Sequence, residues 1–186
     1  LSSEVSPEIR EYERATTATA NAYVRPLVRQ YLTVLDSELG NRGFRNEVQV
    51  MLSNGGLSSV AVAQKFPIQL IESGPAAGAL AASSYATLLG LEKVLAFDMG
   101  GTTAKLCCIE HGKPKHSNMF EAARTRRFKK GSGLPLQIPV IELIEIGAGG
   151  GSIAWLDAAG GLRVGPQSAG ADPGPACYNL GGQEPT

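Results

Sequence analysis

No apolar run in this 186-residue chain approaches the ~20 residues of a membrane span, and no basic-then-apolar leader opens it. Sulfur is scarce: three cysteines, with Cys107 and Cys108 adjacent, make neither a disulfide framework nor a spaced metal site. They read as reduced thiols, which predicts a cytoplasmic protein. The two histidines, His111 and His116, flank "GKPK" in an expected exposed turn, where solvation rather than metal binding is the reading. Trp155, the single tryptophan, is expected to cover core surface. Neither sign of charge dominates, since 17 basic residues balance 17 acidic ones. Nothing global therefore draws the chain to nucleic acid or to an anionic membrane, and neither partner is expected.

Glycine is in excess, at 23 residues, and it is clustered. Groups stand at 55–56, 74–78, 100–101, 147–151, 160–161, 170–174 and 181–182. Glycine is entropically costly inside helices and strands, so clusters mark loops that need unusual dihedrals or close approach. Any one cluster reads as an ordinary turn; the set together does not.

Along the chain, "SSEVSPEIREYERATTATANAYVRPLVRQYLTVLDSELG" predicts helix, with Ser6 as N-cap, Pro7 at the first helical position and Glu8 at the positive dipole end. Val24, Leu27, Val28, Tyr31, Leu32 and Leu35 recur at helical spacing, Pro26 should kink or divide the segment, and Gly40 should stop it. "EVQVML" reads as a strand ending in the "SNGGL" turn. "VAVAQKF" reads as a helix stopped by Pro67, "IQLIES" as a strand, and "GPAAGALAASSYATLLG" as a helix whose small residues permit close packing. "KVLAF" and "AKLCCIE" are strands around "DMGGTT". "LQIPVIELIEI" is strand interrupted by Pro139, and "SIAWLD" with "GLRVGP" predicts a hairpin around "AAGG". This alternation points to an α/β architecture with a mixed sheet flanked by helices, followed by a glycine-rich loop and hairpin region. The basic stretch containing Arg124, Arg126, Arg127, Lys129 and Lys130 reads first as a solvated loop, with an anion or partner contact as the alternative.

The stretch with the most chemistry is "KVLAFDMGGTTAK". A strand carries Asp98 to its end, where a carboxylate can hold magnesium directly or through water. Gly100 and Gly101 lack side chains, so their N–H groups can approach phosphate oxygens; Thr102 and Thr103 add hydroxyls. Hydrogen bonds to a charged group contribute roughly 1.5–3 kcal/mol each, so three or four would supply much of micromolar binding. The plain alternative is a hairpin with glycines for geometry. "GAGGGS" lacks the dinucleotide fingerprint because Ser152 stands where the third glycine belongs. Gly149 and Gly150 are therefore candidates for a backbone anion site or for a tight packing turn. Cys177 has no histidine near it in sequence and reads as a packed thiol; Asp172 before Pro173 is first a turn residue.

In its setting, strand, "DMGGTTAK", strand, preceded by the small-residue helix, this loop resembles the second phosphate loop of the actin-like (ribonuclease H-like) ATPase superfamily. "LSSEVSPEIREYER", "MLSNGGL", "SGPAAG", "AFDMGGTTAK", "GAGGGSIAWLD" and "RVGPQSAGADPGPACY" stand in an order that resembles the hydantoinase A/oxoprolinase family. That family includes ATP-dependent N-methylhydantoinase, 5-oxoprolinase and the acetone and acetophenone carboxylases, and "RFKKGSGLPLQIPVIELIEIGAGGGS" is most similar to the hydantoinase and ketone-carboxylase side. The resemblance implies phosphoryl transfer from ATP with Mg²⁺, activating a cyclic amide for ring opening, or alternatively a ketone for carboxylation. It implies Asp98 as the metal-directed catalytic carboxylate and Gly100, Gly101, Thr102 and Thr103 as the phosphate cradle. Asn54, Gly55, Gly56, Gly74 and Gly78 would edge the same cleft. Many members carry "GGTSTD" where this chain has "GGTTAK", so Lys105 replaces an acidic position.

A single Asp-x-Gly-Gly loop implies a central fragment of a hydantoinase A-type polypeptide: residues 1–130 as part of an ATPase lobe and 131–186 as a glycine-rich extension. The expected partners are a small-molecule substrate, the N-terminal lobe of the same polypeptide, and a hydantoinase B-type subunit. A nucleotide-responsive assembly module is the alternative of another class, and an inert scaffold is a third.

Overall fold

A computed structural model of the protein describes residues 1–125 and 131–186. The chain gathers into two compact units, one of Leu1–Ala81 with Pro114–Glu142, the other of Ala82–Lys113 with Leu143–Thr186.

The first unit opens with the short helix α1 (Ser2–Val5) and the long helix α2 (Glu11–Asn41). The predicted single helical opening is thus broken. Pro7 lacks a donor N–H and biases Ser6 toward extended backbone, and Ser6 indeed has φ −141° and ψ 101°. Ser6 therefore closes α1 rather than capping α2; its buried hydroxyl donates to Gln137 Oε1 at 3.4 Å, and Arg10 stands at the N-cap of α2. Pro26 does not divide α2. The carbonyl that a residue-26 N–H would have engaged belongs to exposed Ala22, where water can satisfy it. Thr17, Asn21 and Leu32 are buried and Val24, Val28 and Leu35 half-buried, whereas Leu27 and Tyr31, one position round the helix, are exposed.

The hairpin β1 (Gln49–Met51) and β2 (Leu57–Ser59) turns at Asn54-Gly55. Ser59 then caps α3 (Val60–Lys65), accepting from Val62 N–H at 3.4 Å. The predicted strand "IQLIES" is instead a 3₁₀ turn at Pro67–Leu70. Its backbone groups are met from elsewhere: Ile68 N–H donates to Asn21 Oδ1 at 3.2 Å, and Gln69 O accepts from Ser53 N–H at 2.8 Å. No ladder is needed to satisfy them.

Helix α4 (Ser73–Leu88) carries the chain from the first unit into the second. Its buried positions Ala76, Ala79 and Ala86 are the small residues that pack. A methyl added at Gly74 or Gly78 would meet nothing within 4 Å, so those glycines are not required by close contact.

In the second unit β3 (Lys93–Met99) and β4 (Ala104–Glu110) pair antiparallel in full register, and β5 (Lys113–Pro114) also pairs with β4. The first unit takes the chain back with β6 (His116–Ser117), β7 (Phe120–Ala122), β8 (Leu134–Leu136) and β9 (Val140–Ile141), pairing β6 with β9 and β7 with β8. Ile68, Leu136, Ile138 and Val140 form its buried core. Strand β10 (Ile144–Ile146) then joins the other side of β4, giving the order β10-β4-β3, antiparallel throughout. The predicted hairpin is present as β11 (Ser152–Leu156) and β12 (Leu162–Ser168). Among the described residues no helix is long and apolar enough to cross a membrane.

Candidate functional site

The β3–β4 connection is built so that its carbonyls point inward and its amides stay open. Gly100 N–H donates to Thr103 O at 2.9 Å, closing the turn. Gly100 O accepts from Gly150 N–H at 2.9 Å, and Gly101 O from Gly151 N–H at 2.7 Å. Having given both carbonyls to the "GAGGGS" loop, the turn leaves the N–H groups of Gly101, Thr102 and Thr103 without a partner among the described residues. Consecutive free amides on a turn form an anion-binding concavity. A methyl added at Gly101 would meet nothing within 4 Å, so the loop is uncrowded on the side that a Gly101 side chain would take.

Asp98 ends β3 beside this turn, exposed, and its carboxylate makes no ion pair or hydrogen bond among the described residues. Directly across the ladder stands Lys105, and across from Lys105 stands Glu145. Lys105 Nζ lies 2.7 Å from Glu145 Oε1, with the lysine side chain 10% exposed and the glutamate 51%. Where the resemblance led to a lysine in an acidic position, the structure gives that lysine a carboxylate of its own.

The two readings of "GAGGGS" are separated by its hydrogen bonds. Gly149 N–H donates to Ser152 Oγ at 2.9 Å and Gly150 N–H to Gly100 O, so both amides are spent inside the protein. A methyl on Gly149 would fall 2.6 Å from Gly100 O and 2.7 Å from Thr102 N. The geometry favours a packing turn that backs the Asp98 loop.

Asn54, Gly55 and Gly56 form the β1–β2 turn of the first unit. Asn54 Oδ1 accepts from Gly56 N–H at 2.9 Å, Gly55 N–H donates to Leu52 O at 2.9 Å, and His116 Nε2 lies 3.3 Å from Asn54 O. Gly55 has φ +84°, a backbone conformation that favours glycine, and a methyl there would come within 2.6 Å of Leu80 Cδ1, the movable end of a side chain. Gly74 and Gly78 lie on α4 in the same unit. The structure thus brings together Asp98, Gly100, Gly101, Thr102, Thr103, Gly149 and Gly150, and separately Asn54, Gly55 and Gly56.

Other candidates resolve differently. Cys177 is exposed, not packed, because it sits in a short 3₁₀ turn in the loop-rich tail. Trp155 is 43% exposed on the two-stranded hairpin, which it pins by donating from Nε1 to Gly165 O at 2.7 Å. Asp172 lies in an exposed turn, as expected. Of the basic stretch, Arg124 pairs with Glu121 at 2.9 Å, and Arg126, Arg127, Lys129 and Lys130 lie outside the described residues. Sequence reasoning missed Asp157. Its carboxylate accepts from Gly161 N–H at 2.8 Å, Ala159 N–H at 3.0 Å and Arg163 Nε at 2.8 Å. Those bonds, the Gly161 amide first, hold it below the ordinary aspartate range. The Asp-x-x-Gly-Gly turn pattern was the available signal.

An open carboxylate thus stands beside three amides without a partner among the described residues, on a hairpin backed by a second glycine loop. The chain belongs to the hydantoinase/oxoprolinase family, whose model matches residues 14–186. It is 48% identical over 186 residues to an uncharacterized protein of Methanocaldococcus jannaschii, covering 98% of this chain and 27% of that one. It is 39% identical over 183 residues to the alpha subunit of the caprolactamase of Pseudomonas jessenii, covering 98% of this chain and 25% of the relative. The solved structure of the ATP-dependent caprolactamase from that organism matches all of this chain, with 26% of its own length covered, 38% identity and a TM-score of 0.69. A nucleotide-free acetone carboxylase, solved for its ATP-dependent carboxylation, matches all of this chain and 25% of its own at 27% identity and a TM-score of 0.79. The α/β lobe of actin-like ATPase type is therefore the fold, and the chain spans about a quarter of the length of these relatives.

Proposed function

We propose that this chain supplies one phosphate-binding loop of an ATP-dependent enzyme that phosphorylates, and so activates, a cyclic amide for ring-opening hydrolysis. The observation that carries the reading is the set of three amides, Gly101 to Thr103, beside the carboxylate of Asp98, all without a partner among the described residues. These residues fit the implied group: the amides suit phosphate oxygens, and a lone carboxylate suits Mg²⁺, which keeps most of its waters and shares phosphate ligands. When bound, Mg·ATP supplies the transferable phosphoryl group and the charge neutralisation. The chain's own residues position it. Gly101, Thr102 and Thr103 hold phosphate oxygens through N–H and hydroxyl donors, Asp98 orients the hydrated metal, and Gly149 and Gly150 hold the loop's shape from behind.

The lactam reading draws on the caprolactamase relative, at 39% identity. Ketone carboxylation is the second reading, favoured by the higher TM-score to acetone carboxylase, 0.79 against 0.69. The rest of the polypeptide, with its N-terminal lobe, and a B-type partner subunit complete the site in this proposal, and the cytoplasm is its setting. The test is phosphate release by the full-length protein with its partner subunit, given hydantoin, caprolactam, 5-oxoproline or acetone with bicarbonate. Release that depends on a cyclic amide supports the proposal. Dependence on acetone selects the second reading. Nucleotide-dependent partner binding with no dependence on any of these compounds would mark an assembly module and sink both.

A further inference from the structure

We infer that Ser152 is a positioning residue for the phosphate loop, its hydroxyl setting the neighbouring glycine turn where that turn can engage the loop's carbonyls. This rests on the reading of residues 98–103 as a phosphate loop. Ser152 opens β11 and is 5% exposed. It closes the turn of residues 149–152 twice. Its Oγ accepts from Gly149 N–H at 2.9 Å, and its own N–H donates to Gly149 O at 2.9 Å. Gly149, Gly151 and Ser152 are all buried. From this turn Gly150 and Gly151 donate to Gly100 O and Gly101 O, and behind it Gly151 O accepts from Ala169 N–H at 2.7 Å. The turn is thus held between the Asp98 loop and the segment that follows β12, and the Ser152 side chain fixes Gly149 within it.

The contact leaves no slack. A methyl on Gly149 would stand 2.6 Å from Gly100 O and 2.7 Å from Thr102 N, so the two backbones touch there. Taking away the Ser152 hydroxyl strands a buried N–H, and folded proteins rarely leave such a group uncompensated. Gly100 O lies against Gly149 and is the acceptor at hand, but Gly150 N–H already holds it. A Gly149 amide that turns toward it competes with Gly150 and shifts the peptide planes of residues 100–102. Those planes carry the Gly101 and Thr102 amides, so the cradle for phosphate oxygens loses its convergence. Ser152 acts from behind the loop, through the loop's shape, and the effect falls on the phosphates rather than on the nucleoside.

The experiment measures affinity for a non-hydrolysable Mg·ATP analogue and for adenosine by calorimetry in the full-length protein, for wild type, Ser152→Ala, Ser152→Thr and Asn21→Ala. The last is a stability control, since Asn21 serves buried backbone groups in the other unit. Ser152→Ala is expected to weaken analogue binding roughly tenfold, the equivalent of one hydrogen bond to a charged group, and to leave adenosine binding as in wild type. Ser152→Thr, which keeps an oxygen acceptor at that position, should bind like wild type. Asn21→Ala should lose melting temperature without losing analogue affinity. If the alanine variant does not fold, Ser152→Cys, a weaker acceptor of similar size, takes its place with a smaller loss in the same direction. Unchanged analogue binding in Ser152→Ala, or in Ser152→Cys where it stands in, overturns the inference. So does an equal loss for adenosine, a threonine variant as weak as the alanine one, or an equal loss in Asn21→Ala, each of which marks general damage. Wild type that binds the analogue no more tightly than adenosine overturns the phosphate-loop reading instead, and this inference with it.

Discussion

Replacing Gly149 with alanine drives a methyl group into the backbone of the Asp98 loop. The added carbon would stand 2.6 Å from Gly100 O, 2.7 Å from Gly101 C and 2.7 Å from Thr102 N, and none of these atoms is the end of a flexible side chain. The loops must part, and the bonds Gly150 N–H to Gly100 O and Gly151 N–H to Gly101 O lengthen or break. Overpacking typically costs about 1–3 kcal/mol and each lost hydrogen bond about 1 kcal/mol. A loss of roughly 3 kcal/mol is expected, seen as a fall in the melting temperature of roughly 5–10 °C. Two controls sharpen the assay. At Gly150 the nearest atom to an added methyl is 3.8 Å away, an ordinary contact, so Gly150→Ala should melt close to wild type. At Gly101 nothing lies within 4 Å, so Gly101→Ala should also keep its melting temperature, yet weaken ATP binding by crowding the amides. A Gly149→Ala variant that melts like Gly150→Ala would refute the reasoning that the two glycine loops are packed backbone to backbone.

Asp98→Asn should leave the melting temperature unchanged, since the carboxylate has no partner to lose among the described residues, and should weaken Mg²⁺-dependent ATP binding about tenfold or more by calorimetry. Asn21→Ala should destabilise the first unit by about 1–3 kcal/mol in a denaturant titration, because Lys65 O and Ile68 N–H lose the buried amide that serves both. Asp157, depressed by the Gly161 amide and by Arg163, stabilises the β11–β12 hairpin above the unfolded aspartate value of about 3.9. That contribution is lost as pH falls through the lower folded value, so NMR should show Asp157 titrating below ordinary aspartates and Asp157→Asn removing the acid-dependent step.

Where the pattern was local, the sequence was readable. The β3–turn–β4 hairpin, α4 and the β11–β12 hairpin follow from runs of apolar residues punctuated by glycine, and each formed as expected. Where a distant partner decides, the sequence was mute. "IQLIES" has the composition of a strand, but Asn21, 47 positions from Ile68, and Ser53, 16 positions from Gln69, satisfy its backbone in a 3₁₀ turn. Ser6 looked like a cap because its neighbours suit a helix start; its partner is Gln137, 131 residues on. The candidate loop itself was legible, since carboxylate, glycines and threonines are contiguous. What was not legible was how its amides come to be free. That depends on two carbonyls being taken by Gly150 and Gly151, far along the chain, and no local pattern carries that contact.

The most direct measurement is a structure of the full-length protein with Mg²⁺ and a non-hydrolysable ATP analogue. The account predicts phosphate oxygens within hydrogen-bonding distance of the Gly101, Thr102 and Thr103 amides, with the metal or one of its waters on Asp98. An analogue seated elsewhere, with those three amides facing solvent, would contradict it.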